Sequence, residues 1–189
     1  MYWIMSVEPQ DDDEIVIYDT PPYIEAYDLS FEEGEKITST YPEISLSYAK
    51  EPGDIFTDSL AAFGCNGLVL NNKVIQELHS LKINNIQYFD LRLIEKTTKE
   101  ENSGYKIANI VGAFNCLDID KCVFETTSSG RIMFIEKMVF KELDESKLPE
   151  IFRLAEYLPL IVTSDRIKQA FEAKGFTGLV FCKPEEFSS

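Results

Sequence analysis

The stretch "LIVTSDRIKQAFEAKGFTGLVF", Leu160 to Phe181, restricts the fold of this 189-residue chain more than any other. Leu160 to Val162 reads as a strand. Ser164 then offers an oxygen to the free amides of a helix start, and Asp165 favours the positive end of the helix dipole. Ile167, Ala170, Phe171 and Lys174 recur on one helical face, Gly175 stands past the end, and Leu179 to Cys182 reads as a second strand. The same order occurs about ninety residues earlier, in "NGLVLNNKVIQELHSLKINNIQYFDLRLI". There Leu68 to Leu70 form the strand and Asn71 or Asn72 the cap. Val74, Ile75, Leu78 and Leu81 supply the helical face, Asn84 and Asn85 break it, and Phe89, Leu91 and Leu93 alternate on the returning strand. Identity between the two stretches is low, so this is recurrence of a strand-helix-strand unit.

Between the units, Tyr105, Ile107, Asn109 and Val111 alternate as a strand. The run "TTSSGRIMFIEKMVFKEL" gives a turn and a long strand with Ile132, Phe134, Glu136, Met138 and Phe140 on one face and Met133, Ile135 and Val139 on the other. Apolar residues on both faces predict a central strand. "ESKLPEIFRLAEYLP" is expected to form a short helix bounded by Pro149 and Pro159. These elements predict an α+β protein: a single domain with a mixed β-sheet and two strand-helix-strand units. Residues 1–60 are expected to pack as an acidic, aromatic-rich segment on a core of residues 61–189, giving one domain over 1–189.

That first segment holds most of the charge. It contains fifteen Asp and Glu residues against Lys36 and Lys50, a balance of −13 out of a formal net charge of −15 for the whole chain. Tyr2, Trp3, Tyr18, Tyr23, Tyr27, Phe31, Tyr41, Tyr48 and Phe56 are interleaved with the acids, which separates the segment from disordered acidic tails. Rings beside carboxylates suit a protein interface, where the rings anchor and the carboxylates steer a basic partner. The side chains expected to contact that partner are Asp11, Asp12, Asp13, Glu14, Asp19, Tyr23, Glu25, Tyr27, Asp28, Glu32, Glu33 and Glu35. A solvated acidic face is the plainer alternative. Nucleic acid is argued against, because phosphates are repelled.

Few residues point to chemistry. Cys65, Cys116, Cys122 and Cys182 lie far apart with no C-x-x-C pair, and are expected to be reduced and structural. With His79 as the single histidine, no zinc spacing arises. The chain has no G-x-G-x-x-G, Walker loop, G-x-S-x-G or H-E-x-x-H. Asp118 and Asp120 in "LDID" would share a face on a strand and could hold Mg²⁺, the basis of an alternative reading as a carboxylate-based metal-dependent hydrolase. No general base is placed beside Ser164 by sequence, so it reads as a cap. No catalytic residue, metal or cofactor is expected. No apolar run approaches the ~20 residues of a membrane span and the start lacks a basic n-region, so no membrane partner and a cytoplasmic location are expected.

The series "YKIANIVGAFNCLD", "IEKMVFKE", "IFRL" and "LIVTSDRIKQAFEAKGFTGLVF" resembles a family of bacterial immunity proteins from polymorphic toxin systems, formerly a domain of unknown function. The likeness covers about residues 60–182. It rests on Leu117-Asp118, Ile151-Phe152-Arg153-Leu154, the apolar strand leading to Ser164 with Asp165 after it, and Thr177-Gly178-Leu179. The Ser that the family usually carries after Leu-Asp is missing from "LDIDKCVF". The resemblance implies a protein that binds a cognate toxin domain and blocks it, with no catalytic residues. A basic nuclease is one toxin that such an acidic surface would suit. A regulatory protein-interaction module is the other reading that the residues leave open.

Overall fold

The computed structural model describes residues 1–19, 29–65 and 67–188. It contains mixed sheets and, among the described residues, two α-helices. The first sheet has the order β14 (Val180–Cys182), β1 (Tyr2–Ser6), β13 (Ile161–Ser164), β12 (Ile151–Leu154), β9 (Ala113–Phe114). The second runs β2 (Val16–Ile17), β4 (Ser59–Ala62), β5 (Leu68–Asn71), β8 (Tyr105–Ile110), β6 (Ile86–Glu95), β3 (Ile44–Tyr48), with β7 (Glu101–Asn102) also paired to β6. A separate ribbon joins β10 (Val123–Thr126) to β11 (Ile132–Lys137). The single mixed sheet expected from sequence is therefore two sheets and a hairpin.

Both strand-helix-strand units are present, and each is split in the same way. In the first, β5 and β6 flank β8, which is antiparallel to both, and α1 (Asn72–Ser80) connects them. In the second, β13 and β14 flank the antiparallel β1, and α2 (Asp165–Lys174) connects them. Local chemistry sets the helix ends. Asn71 accepts hydrogen bonds from the amides of Lys73 and Val74 at 3.0 and 3.1 Å, and Ser164 Oγ accepts from the Ile167 amide at 3.4 Å. Such a cap stabilises a helix by about 1 kcal/mol. Gly175 ends α2 in the left-handed conformation, at φ 65°. Of the face predicted for α2, Ile167 and Phe171 are buried, whereas Lys174 is exposed and reaches Glu77 of α1 at 3.6 Å.

Strand alternation distributes the side chains over three cores, because successive residues point to opposite faces. Leu68, Leu70, Ala108 and Ile110 leave the second sheet on one side, and Met5, Ile151 and Ile161 leave the first. The helices fill the layer between them with Val74, Ile75, Leu78, Ile167 and Phe171. The opposite face of the second sheet, through Val69, Ile107, Leu91 and Leu93, joins Ile17, Phe31 and Leu46 in another core. On the outer face of the first sheet, Ile4, Phe152, Leu154 and Val162 pack under Ile135 and Met138.

Two expectations need correction here. Ile151–Leu154 is a strand with all four residues buried, since β13 and β9 pair with its two edges and cores cover both of its faces. The 3₁₀ turn Glu145–Lys147 precedes it, and no helix forms between Pro149 and Pro159. The strand expected at the centre, β11, belongs to the covering ribbon. Ile135 is buried there, but Met133 and Phe134 are 58% and 41% exposed, so its outer apolar residues meet solvent. The first sixty residues supply β1, β2 and β3 and begin β4, so they contribute strands to both sheets.

Candidate functional site

The carboxylates predicted to meet a partner fall into two groups. The first is a corner made by two loops held together where the Ile15 amide donates to Ile55 O at 3.0 Å and the Ile55 amide to Asp13 O at 2.8 Å. Asp11, Asp12 and Asp13 are exposed there, and Glu14 is half-buried, accepting from the Gln10 amide at 3.2 Å. The pairing adds Glu51 and Asp54, which had not been singled out; Asp54 is held by the Glu51 amide at 2.8 Å. From this corner the chain runs through β2 to Tyr18 and Asp19. Asp19 accepts from the amide of Ser47 on β3 at 3.0 Å, joining the two outermost strands of the second sheet.

The second group surrounds a cleft of about 510 Å³ lined by Glu32, Glu33, Arg131, Glu156 and Tyr157 among others. Glu33 and Glu35 are exposed and Glu32 is half-buried. Glu32 also lines a smaller cavity, of about 220 Å³, together with Met5, Phe63, Leu68, Arg153 and Ile161. That cavity opens between strands of the two sheets. Tyr23, Glu25, Tyr27 and Asp28, also expected to contact a partner, lie outside the described residues.

Arg153 is the main residue that sequence reasoning missed, although a lone cation in "IFRL" was a visible signal. It is 2% exposed on β12. Its Nη1 donates to Pro159 O at 2.8 Å and to Leu158 O at 3.4 Å, and its Nη2 donates to Phe31 O at 3.0 Å. Burial brings the guanidinium down to about 10, against the opposing pull of Glu32 and Glu33. Among the described residues no carboxylate is close enough for an ion pair, and Nε is buried without a partner. Glu32 shows the complementary strain: burial pushes its carboxyl above the usual range, while Arg153 opposes that shift and Glu33 adds to it. A charge taken out of water with no ion-pair partner destabilises its own ionised form, which accounts for both directions.

The aromatic residues divide. Tyr2, Phe31 and Tyr48 are core side chains, and Trp3 is tied down by Asp165, at 3.0 Å from its Nε1, and by Lys168 over its ring. Tyr18 and Phe63 behave differently. Their rings are 76% and 60% exposed and stack on each other with centroids 5.7 Å apart, inclined by 27°.

The chemistry considered from sequence is placed as follows. Asp118 and Asp120 occupy a turn, not a strand, so the alternation that would have put them on one face is absent. Asp118 is paired with Lys121 at 2.5 Å. Among the described residues, no three His, Cys, Asp or Glu side chains gather as a metal site. Ser164 does have a carboxylate beside it, since its hydroxyl donates to Glu150. Glu150 is in turn fixed by Arg166 at 2.8 Å, and the serine oxygen is occupied by the helix cap. His79 packs edge-on against Tyr88, with ring centroids 5.3 Å apart. The four cysteines are free thiols, and burial pushes Cys65 up to about 12 and Cys116 to about 11. Among the described residues no helix is long and apolar enough to cross a membrane.

The chain matches no known family model, and no curated protein matches it in sequence.

Ion pairing separates the two parts of the chain. Of the thirteen Asp and Glu side chains of residues 1–60 that are described, Glu43 alone forms an ion pair, with Arg92 at 2.8 Å. In the remainder, eight of the sixteen lysines and arginines are paired, including Arg166 with Glu150 and Lys168 with Glu172.

Proposed function

We propose that this chain is a bacterial immunity protein: one α+β domain, acting in the cytoplasm, that binds a cognate toxin domain and neutralises it by steric and electrostatic blocking. A basic nuclease is the toxin class that its charge fits best. The observation carrying this reading is the nearly unpaired set of N-terminal carboxylates. Internal cations leave that charge uncompensated, so its field extends into solvent, where it raises the rate at which a basic partner arrives and disfavours acidic ones. The same surface would compete with nucleic acid for a nuclease active site. The ordered series from Leu117-Asp118 to Thr177-Gly178-Leu179 supports the assignment through its resemblance to immunity proteins.

The test is co-expression with the small C-terminal domain encoded by an adjacent toxin reading frame, followed by binding measurements across a salt series. Protection of the host, and an affinity that falls as salt rises, are expected because screening shortens the field to about 8 Å at physiological ionic strength. Neutralising Asp11, Asp12, Asp13 and Glu14 together should slow association. Failure to protect would remove the immunity reading. Salt-independent binding that survives the four neutralisations would remove electrostatic capture.

A further inference from the structure

Glu32 is an unusual member of the acidic surface because it is half-buried and, among the described residues, has no cation of its own. Among the described residues its carboxylate makes no ion pair, and Arg153, which faces it, donates its hydrogen bonds to the carbonyls of Phe31, Leu158 and Pro159. Phe63 lines the same cavity as Glu32, and the ring of Phe63 is stacked on the exposed Tyr18. Two large rings left side by side in solvent forgo burial worth about 1.5 kcal/mol or more each. Aromatic anchors of this kind dominate binding where a partner covers them. At about 220 Å³ the cavity is below the ~300–1,000 Å³ of small-molecule sites. A single inserted side chain matches it better.

We propose that Tyr18, Phe63 and Glu32 form the anchor site for an arginine side chain of a basic partner protein, with the guanidinium lying on the stacked rings and pairing with Glu32. This rests on the binding-protein reading above and names the contact within it. The chemistry favours arginine over lysine, because a flat, weakly hydrated cation stacks on a ring and keeps hydrogen atoms in its plane for a carboxylate. The arginine methylenes have an apolar wall to follow in Val7, Ala62 and Leu68. Asp19, which follows Tyr18 directly in the chain, forms no ion pair among the described residues and adds negative potential beside the rings. Asp11, Asp12 and Asp13, which lie at the other end of β2, steer the partner without anchoring it.

The experiment uses the full chain with two fluorescein-labelled probes, an arginine–glycine repeat peptide and its lysine counterpart, read by anisotropy. The native protein should bind the arginine peptide more tightly. The double variant Tyr18→Ser/Phe63→Ser keeps the net charge and removes only exposed rings. It should lose roughly tenfold in affinity for the arginine peptide, the scale of one partly desolvated cation–π contact. Glu32→Gln should lower arginine binding more than lysine binding, whereas Asp11→Asn/Asp12→Asn/Asp13→Asn should weaken both peptides alike. Equal affinity for the two peptides, or arginine binding untouched by the serine variant, would overturn the anchor. Neither peptide contains a toxin, so that failure is distinct from a failure of the co-expression test.

Discussion

At Gly178 the loop after α2 comes close against Thr57 and Ser59, and of the described glycines it is the one whose replacement by alanine should be most destabilising. Two costs combine. Its φ of 78° lies in the left-handed region, where a side chain costs about 1 kcal/mol. A Cβ there would also stand 2.0 Å from Ser59 O and 2.8 Å from Thr57 Oγ1. The first of these atoms is backbone, so the loop has to move by more than an ångström. That displacement acts on the bonds joining the loop to the second sheet: Ser59 N to Thr177 O at 3.1 Å, Asp58 N to Thr177 Oγ1 at 3.0 Å, and Thr177 N to the Asp58 carboxylate at 3.0 Å. Weakening two or three bonds of about 1 kcal/mol each, one of them to a carboxylate, brings the total to roughly 3–6 kcal/mol. Gly175→Ala is the internal control, since its φ of 65° is similar but nothing lies within 4 Å of the added methyl. It should cost about 1 kcal/mol. Urea unfolding followed by circular dichroism measures both, and at about 2–4 °C per kcal/mol the Gly178 variant should melt roughly 6–24 °C lower. If the two variants lie within about 1 kcal/mol of each other, the close approach is not the constraint described.

Arg153→Met removes a buried charge but leaves the buried Phe31 carbonyl and the part-buried Leu158 and Pro159 carbonyls without their donor, and should cost about 1–3 kcal/mol; urea unfolding checks the loss, and faster hydrogen exchange at the Gly112 amide, which donates to Gly34 O at 2.7 Å, would report loosening of the segment that Arg153 holds. Glu32→Gln should raise the melting temperature at neutral pH. The carboxyl is raised on folding, so its folded form binds more protons and its ionisation opposes folding as pH rises through the usual carboxylate range; the advantage of glutamine should therefore vanish in acid, and an advantage that persists or grows there would contradict the burial argument. In the native protein a thiol reagent should modify the half-buried Cys122 and Cys182 first, whereas Cys65 and Cys116, buried and with thiols raised to about 12 and 11, should react only on unfolding. Mass spectrometry of the labelled peptides decides this.

Local signals in the sequence determined the two helices, their Asn71 and Ser164 caps, the Gly175 stop and the strands on either side, because capping and helical periodicity are set by residues within four positions of one another. The concentration of negative charge in the first sixty residues was likewise legible, being a matter of composition. The tertiary structure decided what depends on distant neighbours. Ile151–Leu154 became a strand because β13 and β9 lie on either side of it, and β11 became a cover because no second sheet surrounds it. β1 found its place between β13 and β14 across some 160 residues of chain. The juxtaposition of Glu32, Phe63 and Arg153 is of the same kind. Each side chain follows ordinary local rules, and only the docking of one sheet on the other brings an unpaired carboxylate, a stacked ring and a buried guanidinium to one cavity.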